Sequence, residues 1–203
     1  MTAPVRETSY GQRGLSLVDR LGVWLSRRAI ARRLGPEREL VAADLGCGYR
    51  ATLLVGLRPR LREGVGVDIK VAEEVRGLAP LRFVEAALEE ALPGLSGGHF
   101  DLVLFVNALE HLAEPQVALG HVHRILKPGG RLFLNVPTWR GKTFLELSAF
   151  HLGLSAPAEV DDHRMYYDKR DLWPLLVKAG FPPSRLQLRY HKLGLNLFAV
   201  ARR

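Results

Sequence analysis

Residues 39–51 read "ELVAADLGCGYRA". The first seven form an apolar run that closes on an acid, the pattern of a strand buried on both faces. Gly46 and Gly48 follow, one residue apart, and "YRATLLVGL" (49–57) then reads as a helix. A glycine turn between strand and helix lets backbone approach a ligand closely. Gly46-x-Gly48-x-x-Ala51 has the spacing of a dinucleotide-binding turn, whose third position tolerates Ala. Asp68 stands about 20 residues further on, where such turns have an acid for a ribose hydroxyl. On this stretch alone, an NAD(P)-dependent or nucleotide-sugar enzyme is a fair expectation.

Working outward, short apolar runs alternate with helical stretches. Strands are expected at 64–69, 81–85, 100–106 and 130–136, and helices at 71–78 and 115–126. Nearly continuous apolar strands separated by helices imply a parallel sheet covered on both faces, wound in right-handed crossovers. "LSLVDRLGVWLSRRAIARRL" (15–34) predicts a helix whose apolar face carries Leu17, Val18, Leu21, Trp24 and Leu25, continued by Arg28 and Arg32. "DKRDLWPLLVKAGF" (168–181) predicts another, and Pro174 suggests a first turn near Leu172 or Trp173. The runs 184–191 and 194–203 read as a hairpin on one edge of the sheet. The expected organisation is one domain over 1–203: a helical cap (1–38), a cofactor-binding core (39–137), a substrate-side insertion (138–167), and a C-terminal helix with hairpin (168–203).

The chain has 203 residues, enough for a sizeable core, with 47% hydrophobic and 25% charged residues. One cysteine excludes an intrachain disulfide and fits a reducing, cytoplasmic setting. The start has no apolar signal region, and no stretch has the roughly 20 apolar residues of a membrane span. Net charge is +8, and residues 1–38 hold eight Arg and three acids, 8 − 3 = +5. That is a solvated basic face or a contact for an anionic partner.

Five segments in order resemble the class I S-adenosylmethionine-dependent methyltransferases of Rossmann-like fold. They are "VAADLGCG", "GVGVD", "FDLVLFVNALEHL", "HRILKPGGRLFLNVP" and "KAGF" before the final hairpin. The resemblance runs from about residue 39 to the C-terminus. It implies a doubly wound α/β fold with a seven-stranded sheet, order 3-2-1-4-5-7-6, strand seven antiparallel and helices on both faces. The implied cofactor is S-adenosyl-L-methionine, leaving as S-adenosyl-L-homocysteine. Its binding residues would be Asp44, Gly46, Cys47, Gly48, Asp68, Ile69, Ala87, Leu88 and Asn107. Asp44 is awkward beside a pyrophosphate but suits a zwitterionic ligand. Where the family often places an Asp near the adenine, this chain has Ala87. That contact falls to backbone around Ala87 and Leu88, or to Glu85. Cys47 has no base near it in sequence, so packing suits it better than nucleophilic chemistry.

A hydroxyl or amine acceptor must also lose a proton. The candidate catalytic residues are His163 and His111. For each, a structural role, pinning a loop or starting a helix, remains open beside that of base; Glu110 has the same ambiguity. Asp161, Asp162 and His151 cluster near His163, but such a run does not guarantee convergent ligands, and no metal is expected. The expected function is methyl transfer to oxygen or nitrogen of a small-molecule, sugar or lipid-linked acceptor, with an anionic one among the options. A methyltransferase-like binding module and an RNA methyltransferase are the alternatives beside the dinucleotide enzyme. Nucleic acid is not the expected partner. The helix 15–34 is either a lid docked beside the crevice or a membrane-surface element. Fold alone does not choose among these.

Overall fold

Side chains alternate across a strand, so the central strands sort their apolar residues into two cores. In β1 (Leu40–Leu45), Val41, Ala43 and Leu45 face one way and Leu40 and Ala42 the other. In β4 (Phe100–Val106), Val103 and Phe105 oppose Leu102 and Leu104, and in β5 (Leu126–Pro137), Leu132 and Leu134 oppose Phe133. The computed structural model describes residues 8–12, 14–146 and 163–203.

The first core is covered by α4 (Leu88–Ala91), α5 (Pro115–Ile125) and α7 (Lys169–Lys178). The second is covered by α1 (Leu17–Leu34), α2 (Thr52–Leu57) and α3 (Glu73–Arg76). Between them lies one seven-stranded sheet of order β3-β2-β1-β4-β5-β7-β6, with β2 (Leu61–Asp68), β3 (Leu81–Glu85), β6 (Leu186–His191) and β7 (Asn196–Arg202). β7 runs antiparallel to both neighbours, and every other pairing is parallel. This is the expected sheet. A further helix, α6 (Trp139–Glu146), follows β5.

Three local expectations change. The helix expected at 71–78 is one turn, Glu73–Arg76, closed by Gly77 with Pro80 three residues beyond. β2 begins at Leu61 rather than 64. α7 starts at Lys169, ahead of Pro174: Asp168 and Asp171 form a capping box, with Asp171 Oδ2 accepting Asp168 N–H at 2.7 Å. That cap secures the first turn, and the proline is carried inside the helix.

α1 also opens on a capping box, Ser16 with Asp19, and ends at Gly35. Its buried face differs from the expected one. Ser26, Ala29, Ile30 and Leu34 are buried, whereas Leu21 and Trp24 are 56% and 53% exposed. The expected apolar stripe occupies the N-terminal half, but the rotation of the helix is set by its C-terminal half, where Ala29, Ile30 and Leu34 join the second core. Arg28 and Arg32 are exposed, and the Arg28 guanidinium lies 5.6 Å from the Trp24 ring, on the outer face.

Candidate active site

In an open α/β sheet the ligand crevice lies beyond the carboxyl ends of the strands, where the strand order reverses. Here β1 and β4 are the central neighbours, and a cavity of about 260 Å³ opens at their ends. Its floor is the glycine turn Gly46–Gly48 with Asp68. Its walls are Val106–Ala108 from the end of β4 onward, Glu110 and His111 on the following 3-10 turn, Pro137 at the end of β5, and Gly141 and Phe144 beyond it. α1 closes one side through Val18, Asp19, Gly22, Val23 and Ser26.

The turn needs its glycines for conformation and for contact. Gly46 and Gly48 have φ of +72° and +75°. A Cβ on Gly46 would stand 2.5 Å from the Ala108 Cβ, so the first glycine serves the protein's own packing. Gly46 N–H and Cys47 N–H both point to the Val67 carbonyl, at 2.9 and 3.1 Å. Gly48 N–H donates to Asp68 Oδ2 at 2.8 Å, which fixes the acid against the turn. Asp68 Oδ1 accepts from Ile69 N–H at 2.9 Å and from the Ser9 hydroxyl at 2.5 Å. Tyr10 follows: its carbonyl accepts Tyr49 N–H at 2.9 Å, so residues 9–10 lie on the glycine turn.

Asp44 sits beneath the turn, 1% exposed. Burial, then the negative charge of Asp68, push its carboxyl up to about 7, against a backbone hydrogen bond from Leu54. Among the described residues nothing donates to its Oδ2. A buried acid in this state favours a cation nearby. Burial and the same two carboxylates also raise the Cys47 thiol, which suits packing and not a thiolate. Asn107 adopts a left-handed φ of +53°, and its Oδ1 accepts from Asn135 Nδ2 at 2.7 Å.

The proton-transfer groups come from distant stretches. The Glu110 carbonyl accepts Arg164 N–H at 2.9 Å and Met165 N–H at 3.3 Å, which ties the 163–165 segment to the turn after β4. His163 thereby reaches His111, ring centroids 4.8 Å apart, and its Nε2 lies 4.0 Å from Glu110 Oε1. Its Nδ1 is 3.1 Å from the Tyr166 hydroxyl. Glu110 is 1% exposed. Glu110, His111 and His163 also place one ligand atom each within 4.8 Å of one another, the donor set of a metal site as well as of a proton relay.

Gly46, Cys47, Gly48, Asp68, Asn107, His111 and His163 therefore meet on one cavity. Asp44 lies below it. Leu88 packs near Gly46, while Ile69 and Ala87 are half-buried outside the lining. Glu85 accepts Val71 N–H at 2.7 Å and pairs with Arg76, so it is engaged at the sheet edge. Asp161, Asp162 and His151 lie outside the described residues. Sequence reasoning missed Ser9 and Lys192, which reach the site through tertiary contacts; the only sequence hint at Lys192 is the tight "HKLG" between two strands.

A family model described as a methyltransferase domain matches residues 25–183. The chain belongs to the methyltransferase-domain family. The buried Asp44 Oδ2, to which no described residue donates, suits a cationic ligand better than a pyrophosphate. The methyltransferase-domain chain is 30% identical over 153 residues to a ubiquinone biosynthesis O-methyltransferase of Dechloromonas aromatica, covering 70% of this chain and 65% of that protein. It is 28% identical over 187 residues to a ubiquinone/menaquinone biosynthesis C-methyltransferase of Pseudomonas putida, covering 85% and 65%. The chain thus spans slightly less than two thirds of each. A SAM-dependent methyltransferase structure from Archaeoglobus fulgidus shares the fold, with a TM-score of 0.67 at 15% identity over 94% of this chain and 96% of that one. One from Aquifex aeolicus superposes with a TM-score of 0.64 at 17% identity over 87% and 88%.

Proposed function

We propose that this chain transfers the methyl group of S-adenosylmethionine to an oxygen or nitrogen of a small acceptor held in the cavity beneath α1. The observation that carries the proposal is that the cofactor turn and the Glu110–His111–His163 group open on one cavity. When bound, the cofactor supplies a methyl on a sulfonium, an electrophile that needs no activation by the protein. The chain's own task is to position the acceptor and take its proton. Orientation alone can contribute about 7–11 kcal/mol to such a reaction.

Asp68 and the Gly48 N–H it holds form the rigid edge against which the cofactor's sugar is placed. Asp44 provides buried negative charge for a cationic ligand. His163 takes the acceptor proton at Nε2, and the carboxylate of Glu110 at 4.0 Å stabilises the imidazolium that results. The Tyr166 hydroxyl at Nδ1 holds the ring's orientation. Acceptors in this reading are small molecules, sugars or lipid-linked compounds. The lone buried thiol fits a cytoplasmic setting, and no helix among the described residues is long and apolar enough to cross a membrane.

His163→Gln tests the assignment. The turnover number should fall by roughly 10²–10⁴-fold, with affinity for S-adenosylhomocysteine unchanged. Undiminished turnover would reduce His163 to a pin for its loop.

A further inference from the structure

One wall of the cavity carries a charge that the transfer itself does not use. Lys192 lies in the turn between β6 and β7. Lys192, Leu193 and Gly194 have φ of +51°, +59° and +87°, so three successive left-handed residues reverse the chain sharply. The turn is fastened to the start of α6. Thr138 Oγ1 donates to the Gly194 carbonyl at 2.7 Å, and Thr138 N–H to the Leu195 carbonyl at 3.0 Å. Gly141 comes so close that a Cβ there would overlap the Leu195 carbonyl. A strained, firmly held turn of this kind is a costly way to place one side chain.

The side chain it places points inward. A Cβ on Gly22 of α1 would lie 3.7 Å from Lys192 Nζ, so the ammonium reaches across to the cavity face of α1. The cavity it shares has apolar wall residues, Leu15, Val18, Val23, Phe144 and Leu195, beside the acids Asp19 and Glu110. Asp19 is engaged in the α1 cap, with Oδ2 accepting Ser16 N–H at 3.1 Å. Among the described residues no carboxylate stands within ion-pair distance of Nζ. Burial lowers the ammonium to about 8, with Glu110 and Asp19 acting in the opposite direction, so the group is still cationic at neutral pH.

A buried cation that no described carboxylate pairs with directly favours an anion brought in by the ligand. We infer that Lys192 is the specificity residue for the acceptor, and that the acceptor is an apolar molecule bearing one anionic oxygen group, a carboxylate, phenolate or enolate. The inference rests on the cavity being the acceptor site. Arg28 and Arg32, cations on α1, do not line the cavity; Arg28 lies on a separate groove with Trp24 and Leu57. Among the described residues, Lys192 is the lysine that lines it.

The probes are 1-anilinonaphthalene-8-sulfonate, an apolar anion, and N-phenyl-1-naphthylamine, its uncharged counterpart. Both brighten on entering an apolar cavity. The full chain is titrated as wild type, Lys192→Met, Lys192→Arg and, as a surface control, Arg28→Met. Losing a hydrogen bond to a charged group should weaken anion binding about tenfold or more in Lys192→Met. Lys192→Arg should keep most of it, and Arg28→Met all of it. The uncharged probe should bind all four proteins alike. Equal anion binding by wild type and Lys192→Met would overturn the inference, as would equal loss of both probes. S-adenosylhomocysteine is titrated in parallel. Its failure to bind beside a Lys192-dependent anion would count against the methyltransferase proposal and leave the anion site standing. Its binding beside an indifferent anion would remove the anion site alone.

Discussion

The Ser9 hydroxyl lies 2.5 Å from Asp68 Oδ1, on the same carboxylate whose Oδ2 accepts Gly48 N–H at 2.8 Å. Asp68 thus joins the N-terminal segment, the end of β2 and the glycine turn. Its replacement should be felt in cofactor affinity. Asp68→Ala should cost about 1.5–3 kcal/mol of binding, or roughly 10- to 100-fold in Kd for S-adenosylhomocysteine. Asp68→Asn keeps one acceptor oxygen and should be milder. Titration calorimetry reads both, and wild-type affinity in Asp68→Ala would remove Asp68 from the cofactor site.

Asp44 should make both stability and cofactor binding depend on pH. Its folded-state pKa is raised to about 7 from an ordinary 3.8. Its contribution to stability is therefore complete below the unfolded value and is lost as pH rises through about 7. The melting temperature of the cofactor-free protein should fall between about pH 4 and pH 7 and level off above that, and Asp44→Asn should flatten that fall. A cationic ligand prefers the ionised carboxylate, so cofactor affinity should rise with pH across the same window, with a proton released on binding. Calorimetry in two buffers of different ionisation enthalpy measures that proton. No release near pH 6.5 would contradict the role given to Asp44.

Gly46 should tolerate no side chain, for a reason internal to the protein. Gly46→Ala meets the Ala108 Cβ and also takes a left-handed backbone, which alone costs about 1–2 kcal/mol. The added substitution Ala108→Gly should recover the contact and not the backbone cost. Thermal denaturation of the two variants separates these contributions. If the double variant is no more stable than Gly46→Ala, the clash is not what the glycine avoids.

A chelator distinguishes the two chemistries open to Glu110, His111 and His163. If the group moves a proton, activity after treatment with EDTA and gel filtration should match that of the untreated protein. Loss of activity restored by a divalent cation would make the three residues metal ligands.

Much of the fold was legible in the sequence because the central strands are buried on both faces. Runs such as "ELVAADL" and "FDLVLFV" cannot hide in any other pattern, and the glycine turn marks where the first of them meets its helix. The strand order came from resemblance, since pairing is not encoded in periodicity. The rotation of α1 is hidden in the sequence because Leu21 and Trp24 look buried by composition, while Ser26 and Ala29, which are buried, look neutral. Of the site, Gly46, Gly48 and Asp68 were visible through spacing. His163 could be named as a candidate, but its meeting with Glu110 depends on two main-chain hydrogen bonds across more than fifty residues. Ser9 and Lys192 arrive from a terminal segment and a hairpin turn, where no local pattern announces a role.

The most direct test of the central claim is titration calorimetry of the wild-type chain with S-adenosylhomocysteine and, separately, with NAD. A cofactor site built on Gly46, Gly48, Asp44 and Asp68 predicts saturable one-to-one binding of S-adenosylhomocysteine and no heat from NAD. Saturable binding of NAD with no response to S-adenosylhomocysteine would contradict it.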